Sequence, residues 1–134
     1  YVNTSSETFV GYFFARTPGL IGIGSYIGNG LSDGAMVVVD DGASGFRPAW
    51  VLIKRISGTH NWRLWDAARS PFNVVDDYLT PSAGNAEAGP GVGKDLDFIA
   101  NGFKLRTTDT DMNAVGTYVY LAFAGEPFNL ARAR

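Results

Sequence analysis

The chain has no cysteine. That excludes disulfides, thiolate metal sites and a cysteine nucleophile, and it leaves the compartment open. Histidine occurs once, as His60 in the turn Ser57-Gly58-Thr59-His60-Asn61-Trp62, with no recognisable serine motif beside it. A nucleophile relay needs a base and a group to orient that base, so the expected role of His60 is a solvated turn residue. No apolar run approaches the roughly 18 residues of a spanning helix, and no membrane insertion is expected. Lysine and arginine form no block or stripe, and the net charge is −2. Neutralising phosphates takes clustered cations, so nucleic acid is not an expected partner.

What is present points to a folded β domain. Apolar residues make up 46% and charged residues 18%, a balance that buries a core. The 134 residues suit one domain. Seventeen glycines and frequent aromatics break the chain into short apolar runs bounded by turn signals, the rhythm of an all-β protein. Strands are expected at 9–15, 21–27, 35–39, 50–56, 62–66, 96–99, 103–106 and 118–124. Asn101-Gly102 joins two of them, and a type I′ hairpin turn is expected there because both residue types tolerate positive φ. Asn29-Gly30 and Asp33-Gly34 mark further turns. In the run from Trp50 to Ile56, Val51 and Ile53 share one face and Trp50 and Leu52 the other. Both faces are apolar, which predicts a central strand covered on both sides. Helix is limited to one turn on either side of Pro71. Asp66 is a candidate N-cap there, with Arg69 bridging back to it. The Pro- and Gly-rich segment 80–95 reads as a long loop. The expected fold is an antiparallel β-sandwich of jelly-roll type.

The two ends of the chain echo each other. With Thr8 set against Thr117, Phe9 meets Tyr118, Val10 meets Val119, Phe14 meets Phe123 and Ala15 meets Ala124. Asn3 falls opposite Asn113 with one residue of slack. Two amphipathic strands can share a composition by chance. The other reading is a repeated module of about 110 residues. Residues 1–16 would then be a strand of a preceding repeat, or one swapped with a neighbour, and residues 17–134 the sandwich proper. On that reading Tyr1 lies in the middle of a longer architecture.

The ordered series NTSSETFVGYFFA, GSYIGNG, GFRPAWVLIKR, WRLWDAARSPFN, DFIANGFKLR and TYVYLAFAGEPF resembles a bacteriophage module found in tail-fibre-like and other virion proteins, often beside concanavalin-like domains and sometimes in tandem. The resemblance covers nearly the whole chain and supplies no catalytic residues. It implies a non-enzymatic structural role in the virion, in a tail fibre or spike that attaches to the host surface. Capsid decoration and a stand-alone carbohydrate-binding module are the other readings. The implied partners are other virion proteins, further copies of the chain as a homotrimer, and a bacterial surface glycan.

Candidate ligand residues are Trp65, Arg63, His60, Asn85 and Glu87, because sugar sites combine an aromatic face with polar side chains. Tryptophans are also the usual bulk of a small β core, and core packing is the competing role for Trp50, Trp62 and Trp65. Candidate interface residues are Tyr1, Phe9, Tyr118 and Tyr120. Paired carboxylates at Asp40-Asp41 and Asp109/Asp111 could gather oxygens around a hard cation, but no EF-hand spacing accompanies them. Neither a metal nor a cofactor is expected. Phe46, Phe72 and Phe128 are expected to plug loops onto the sandwich.

Overall fold

The structure is a computed structural model that describes residues 5–125. Eight strands form two antiparallel sheets: β1 (Ile21–Gly28), β2 (Met36–Val38), β3 (Pro48–Arg55), β4 (Trp62–Asp66), β5 (Tyr78–Leu79), β6 (Leu96–Ile99), β7 (Gly102–Leu105) and β8 (Gly116–Ala124). The larger sheet has the order β1-β8-β3-β4-β5, and the smaller has β2-β7-β6. The chain crosses between the sheets after β1, β2, β5 and β7, so the sandwich is jelly-roll-like, divided five and three. No helix lies among the described residues.

Period-two alternation decides which residues meet between the sheets. β8 sends in Tyr118, Tyr120 and Ala122, β3 sends in Val51 and Ile53, and β4 sends in Arg63 and Trp65. Phe103 and Leu105 of β7, with Leu96 and Phe98 of β6, close the core from the smaller sheet. The rings of Tyr26 and Tyr118 stack at 4.9 Å and 8°, and Phe103 stands edge-on to Tyr26 and Tyr120. Their hydroxyls are used up at the rim of the core. Tyr26 donates to the Met112 carbonyl at 2.6 Å, and Tyr118 donates to the Ala114 carbonyl at 3.0 Å. Tyr120 accepts from the Asp40 amide at 2.7 Å. Burial pushes all three hydroxyls above the ordinary tyrosine value, which keeps them protonated.

Four corrections follow. Residues 9–15 form no strand and have no ladder partner in this sandwich. Tyr118 and Tyr120 are buried and cannot be subunit contacts, because β8 is central and these positions face inward. Phe72 is exposed, whereas Phe46 is buried and plugs the sandwich as expected. Phe128 and Tyr1 lie outside the described residues. The fourth concerns the hairpin, which is present with its turn one residue early. Ile99 pairs with Gly102, so Ala100 and Asn101 make the turn, and neither has positive φ.

Gly102 is needed for a different reason. A Cβ there would lie 1.9 Å from the Val37 carbonyl oxygen, because β2 pairs beside it with Val38 opposite Gly102. Backbone cannot give way as a side-chain tip can. Gly102→Ala is therefore expected to cost about 3 kcal/mol, the upper end for an overpacked site. Asn101→Ala, in the turn itself, is expected to cost under about 1 kcal/mol. Urea unfolding of both variants checks the order, and an equal cost would contradict it.

Candidate functional site

Two of the five ligand candidates, Arg63 and His60, meet around the Asp111 carboxylate. Arg63, on the inward face of β4, donates from Nε to Asp111 Oδ2 at 2.8 Å and from Nη2 to the same oxygen. His60 lies 3.1 Å from Asp111 Oδ1 through Nδ1, and the Lys94 ammonium lies 3.6 Å from Oδ2. Lys94 also pairs with Asp109. Thr80 accepts from Arg63 Nη1, and the guanidinium sits 5.2 Å over the Tyr78 ring. Trp65, wholly buried, donates from its indole to the Lys94 carbonyl at 3.0 Å. These residues therefore tie β4, the 80–95 loop and the 107–113 segment together. Trp65 and Arg63 offer no surface to a ligand, which corrects their expected role.

The carboxylates weighed as cation ligands are already partnered, by protein cations and amides. Asp111 and Asp109 hold Arg63 and Lys94, while Asp41 accepts from the amides of Gly19, Ala43 and Gly45. No group of three acidic or histidine residues suited to a metal lies among the described residues. His60 has the orienting carboxylate of a catalytic base. Its Nε2, however, faces Arg55 Nη1 at 3.3 Å, where a relay would place a hydroxyl. A guanidinium can only donate, so Nε2 accepts and Nδ1 carries the proton given to Asp111.

Asn85 and Glu87 stand on the exposed tip of the 80–95 loop, with Glu87 paired to Arg69. The loop is fastened on either side of that tip. Tyr78 and Ala88 exchange backbone bonds, and Ser82 Oγ accepts from the Trp62 amide at 3.1 Å. Arg69 also pairs with Asp66, whose Oδ1 accepts from the amides of Ala68 and Arg69 at 3.0 Å each. The expected cap is thus present on a turn without a helix.

A surface that sequence reasoning assigned differently is the outer face of the larger sheet. Ile23, Leu121 and Leu52 stand side by side across β1, β8 and β3, and Leu64 follows on β4. Trp50, Trp62, Val119 and Phe123 extend this apolar row into a groove of about 530 Å³. Trp62 is 39% exposed, so of the two tryptophans on β4 it is the one that faces out. Tyr12 and Phe14 form the groove's remaining wall, with Phe14 edge-on to Phe123 at 5.6 Å. The smaller sheet covers only the inner face, so the second cover expected over β3 is just this partial one. A sugar needs polar partners beside the stacked ring, and these walls are almost wholly apolar. Their chemistry suits a protein contact.

Burial pushes the Asp111 carboxyl up. The hydrogen bonds and charge of Arg63, with Lys94 and His60 behind them, more than offset this and hold it below 3.8. An acid with a depressed folded pKa stabilises the fold above its unfolded value and loses that contribution as pH falls through the folded one. Urea unfolding from about pH 6 to about pH 2 should therefore show stability falling below the ordinary carboxylate value. Asp111→Asn should cost about 3 kcal/mol at neutral pH and flatten that acid limb. An unchanged limb would place the acid sensitivity elsewhere.

No curated protein and no solved structure matches the chain. A family model described as a domain of unknown function, DUF7483, matches residues 1–127. The match spans both echoing ends and both sheets, and the chain belongs to this family.

Proposed function

We propose that this domain is a non-enzymatic structural module of a bacteriophage virion, part of a tail fibre or spike involved in host-surface attachment. The resemblance of its ordered motifs to tail-fibre-like proteins supports the virion assignment. The observation that carries the structural role is how its chemistry is distributed. The charged cluster most like a site, Arg63, Asp111, His60 and Lys94, is spent on internal pairing. An apolar groove of about 530 Å³ instead faces outward. An enzyme or sugar-binding cleft would place polar groups in the groove. Here the groove is suited to stacking on another protein, and the exposed loop tip with Asn85 and Glu87 is the part free to meet a glycan.

Immunogold electron microscopy of intact virions, with antibody to this chain, tests the assignment. Label on fibres or at the tail tip is the expected result. Label over the head would make the domain a capsid decoration protein. Absence from every particle would leave a stand-alone binding module. With fibre label in hand, Asn85→Ala combined with Glu87→Ala should lower adsorption without moving the thermal midpoint. Unchanged adsorption would remove the loop tip from the host contact.

A further inference from the structure

Residues 8–15 are the most exposed apolar stretch described. Phe13 is 96% exposed, Tyr12 81% and Val10 78%. The stretch carries no charged side chain, and no other strand pairs with it. Around Phe13 the side chains nevertheless alternate as a strand's do. Tyr12 and Phe14 line the groove on the outer face, while Phe13 between them points away into solvent.

The echo with β8 gives this alternation a meaning. Tyr12 and Phe14 align with Leu121 and Phe123, which are outer-face positions. Phe9 and Phe13 align with Tyr118 and Ala122, which are wholly buried between the sheets. The likeness runs past the strand as well, since Phe14-Ala15 and Phe123-Ala124 are each followed three residues later by proline, Pro18 and Pro127. Phe13 thus aligns with a core position and has no core here, while Tyr12 and Phe14 align with outer-face positions and already line an outer face.

We propose that residues 8–15 are the last strand of a second sandwich of this type, filling there the slot that β8 fills here. In the sandwich described, that slot lies between β1 and β3. The second sandwich then presents Tyr12 and Phe14 on its own outer face, and the Phe14–Phe123 contact becomes part of a face-to-face junction between neighbouring modules. This goes beyond the virion assignment and does not depend on it. One position qualifies the partner. Gly11 aligns with Tyr120, whose ring lies against Gly24 so closely that a Cβ there would meet the hydroxyl at 2.6 Å. With Gly11 in the slot that volume is empty. The partner is therefore a sister module with a larger side chain at the position of Gly24, and an identical copy would be under-packed.

The test joins residues 16–112 ahead of residue 3 of the chain, so that residues 8–15 are offered to the upstream copy. Hydrogen exchange is read at the amides of residues 9–15. In the 134-residue chain they should exchange fast, having no ladder. In the doubled chain they should slow by at least about a hundredfold, as ladder amides do. Gly11→Tyr should raise the melting transition of the upstream copy and leave the 134-residue chain unchanged. Phe13→Asp should abolish the upstream transition, again without moving the single chain. If the upstream copy stays unfolded with or without Gly11→Tyr, the proposal is overturned. It is equally overturned if residues 9–15 of the doubled chain carrying Gly11→Tyr exchange as fast as in the single one.

Discussion

Five strands packed against three is the constraint on which the rest depends. A β-sheet built from residues apolar on both faces must be covered on both. The smaller sheet satisfies one face of the larger, and the inner positions of β3, β4 and β8 are buried there. On the other face, among the described residues, Ile23, Leu52, Leu121 and Phe123 meet only the partial cover of Tyr12 and Phe14. At about 25 cal/mol for each Å² of apolar surface removed from water, such a groove is a standing source of association energy.

The polar interior works in the opposite direction, closing the ends of the sandwich so that little chemistry is left over. Asn113 is fully buried, and its amide nitrogen faces the Asn29 side chain and the carbonyls of Leu31 and Thr107 at 2.7–2.9 Å. Its oxygen accepts from the Asn29 amide. One side chain thereby fixes the loop after β1 to the segment before β8. Asp111, two residues earlier, does the same for β4 and the 80–95 loop through Arg63 and Lys94. Every buried side-chain nitrogen and oxygen among the described residues has a partner. The long loops are held in place by pairs that the folded chain itself supplies.

Alternation made the strands legible. β4 and β6 begin and end where the sequence places them, and β1, β2, β3, β7 and β8 differ by one or two residues at their ends. What alternation does not carry is the sign of each face. On β4 it separates Trp62 from Trp65, but only the packing of the smaller sheet decides that Trp65 goes inward. β5 has just two residues and is held by β4 and the Ala88 bridge, too short for any periodic signal. The Asn-Gly pair located the hairpin and misassigned its turn, because Gly102 answers to the approach of β2 from distant sequence. Asp109 and Asp111 read as cation ligands, and they do bind cations. Those cations are Lys94 and Arg63, brought from 15 and 48 residues away by the fold. Residues 9–15 look like a strand and form none here, a conflict between local pattern and tertiary structure that points outside this sandwich.

A module with its polar groups internally paired and one apolar face open is suited to being stacked in series. The measurement that bears most directly on this is hydroxyl-radical footprinting of Trp50 and Trp62, compared between the isolated domain and the assembled native protein. Both line the outer groove. If the face is a junction between modules, their oxidation should fall sharply on assembly while that of the exposed Phe72 stays constant. Equal reactivity of the two tryptophans in both states would contradict the account.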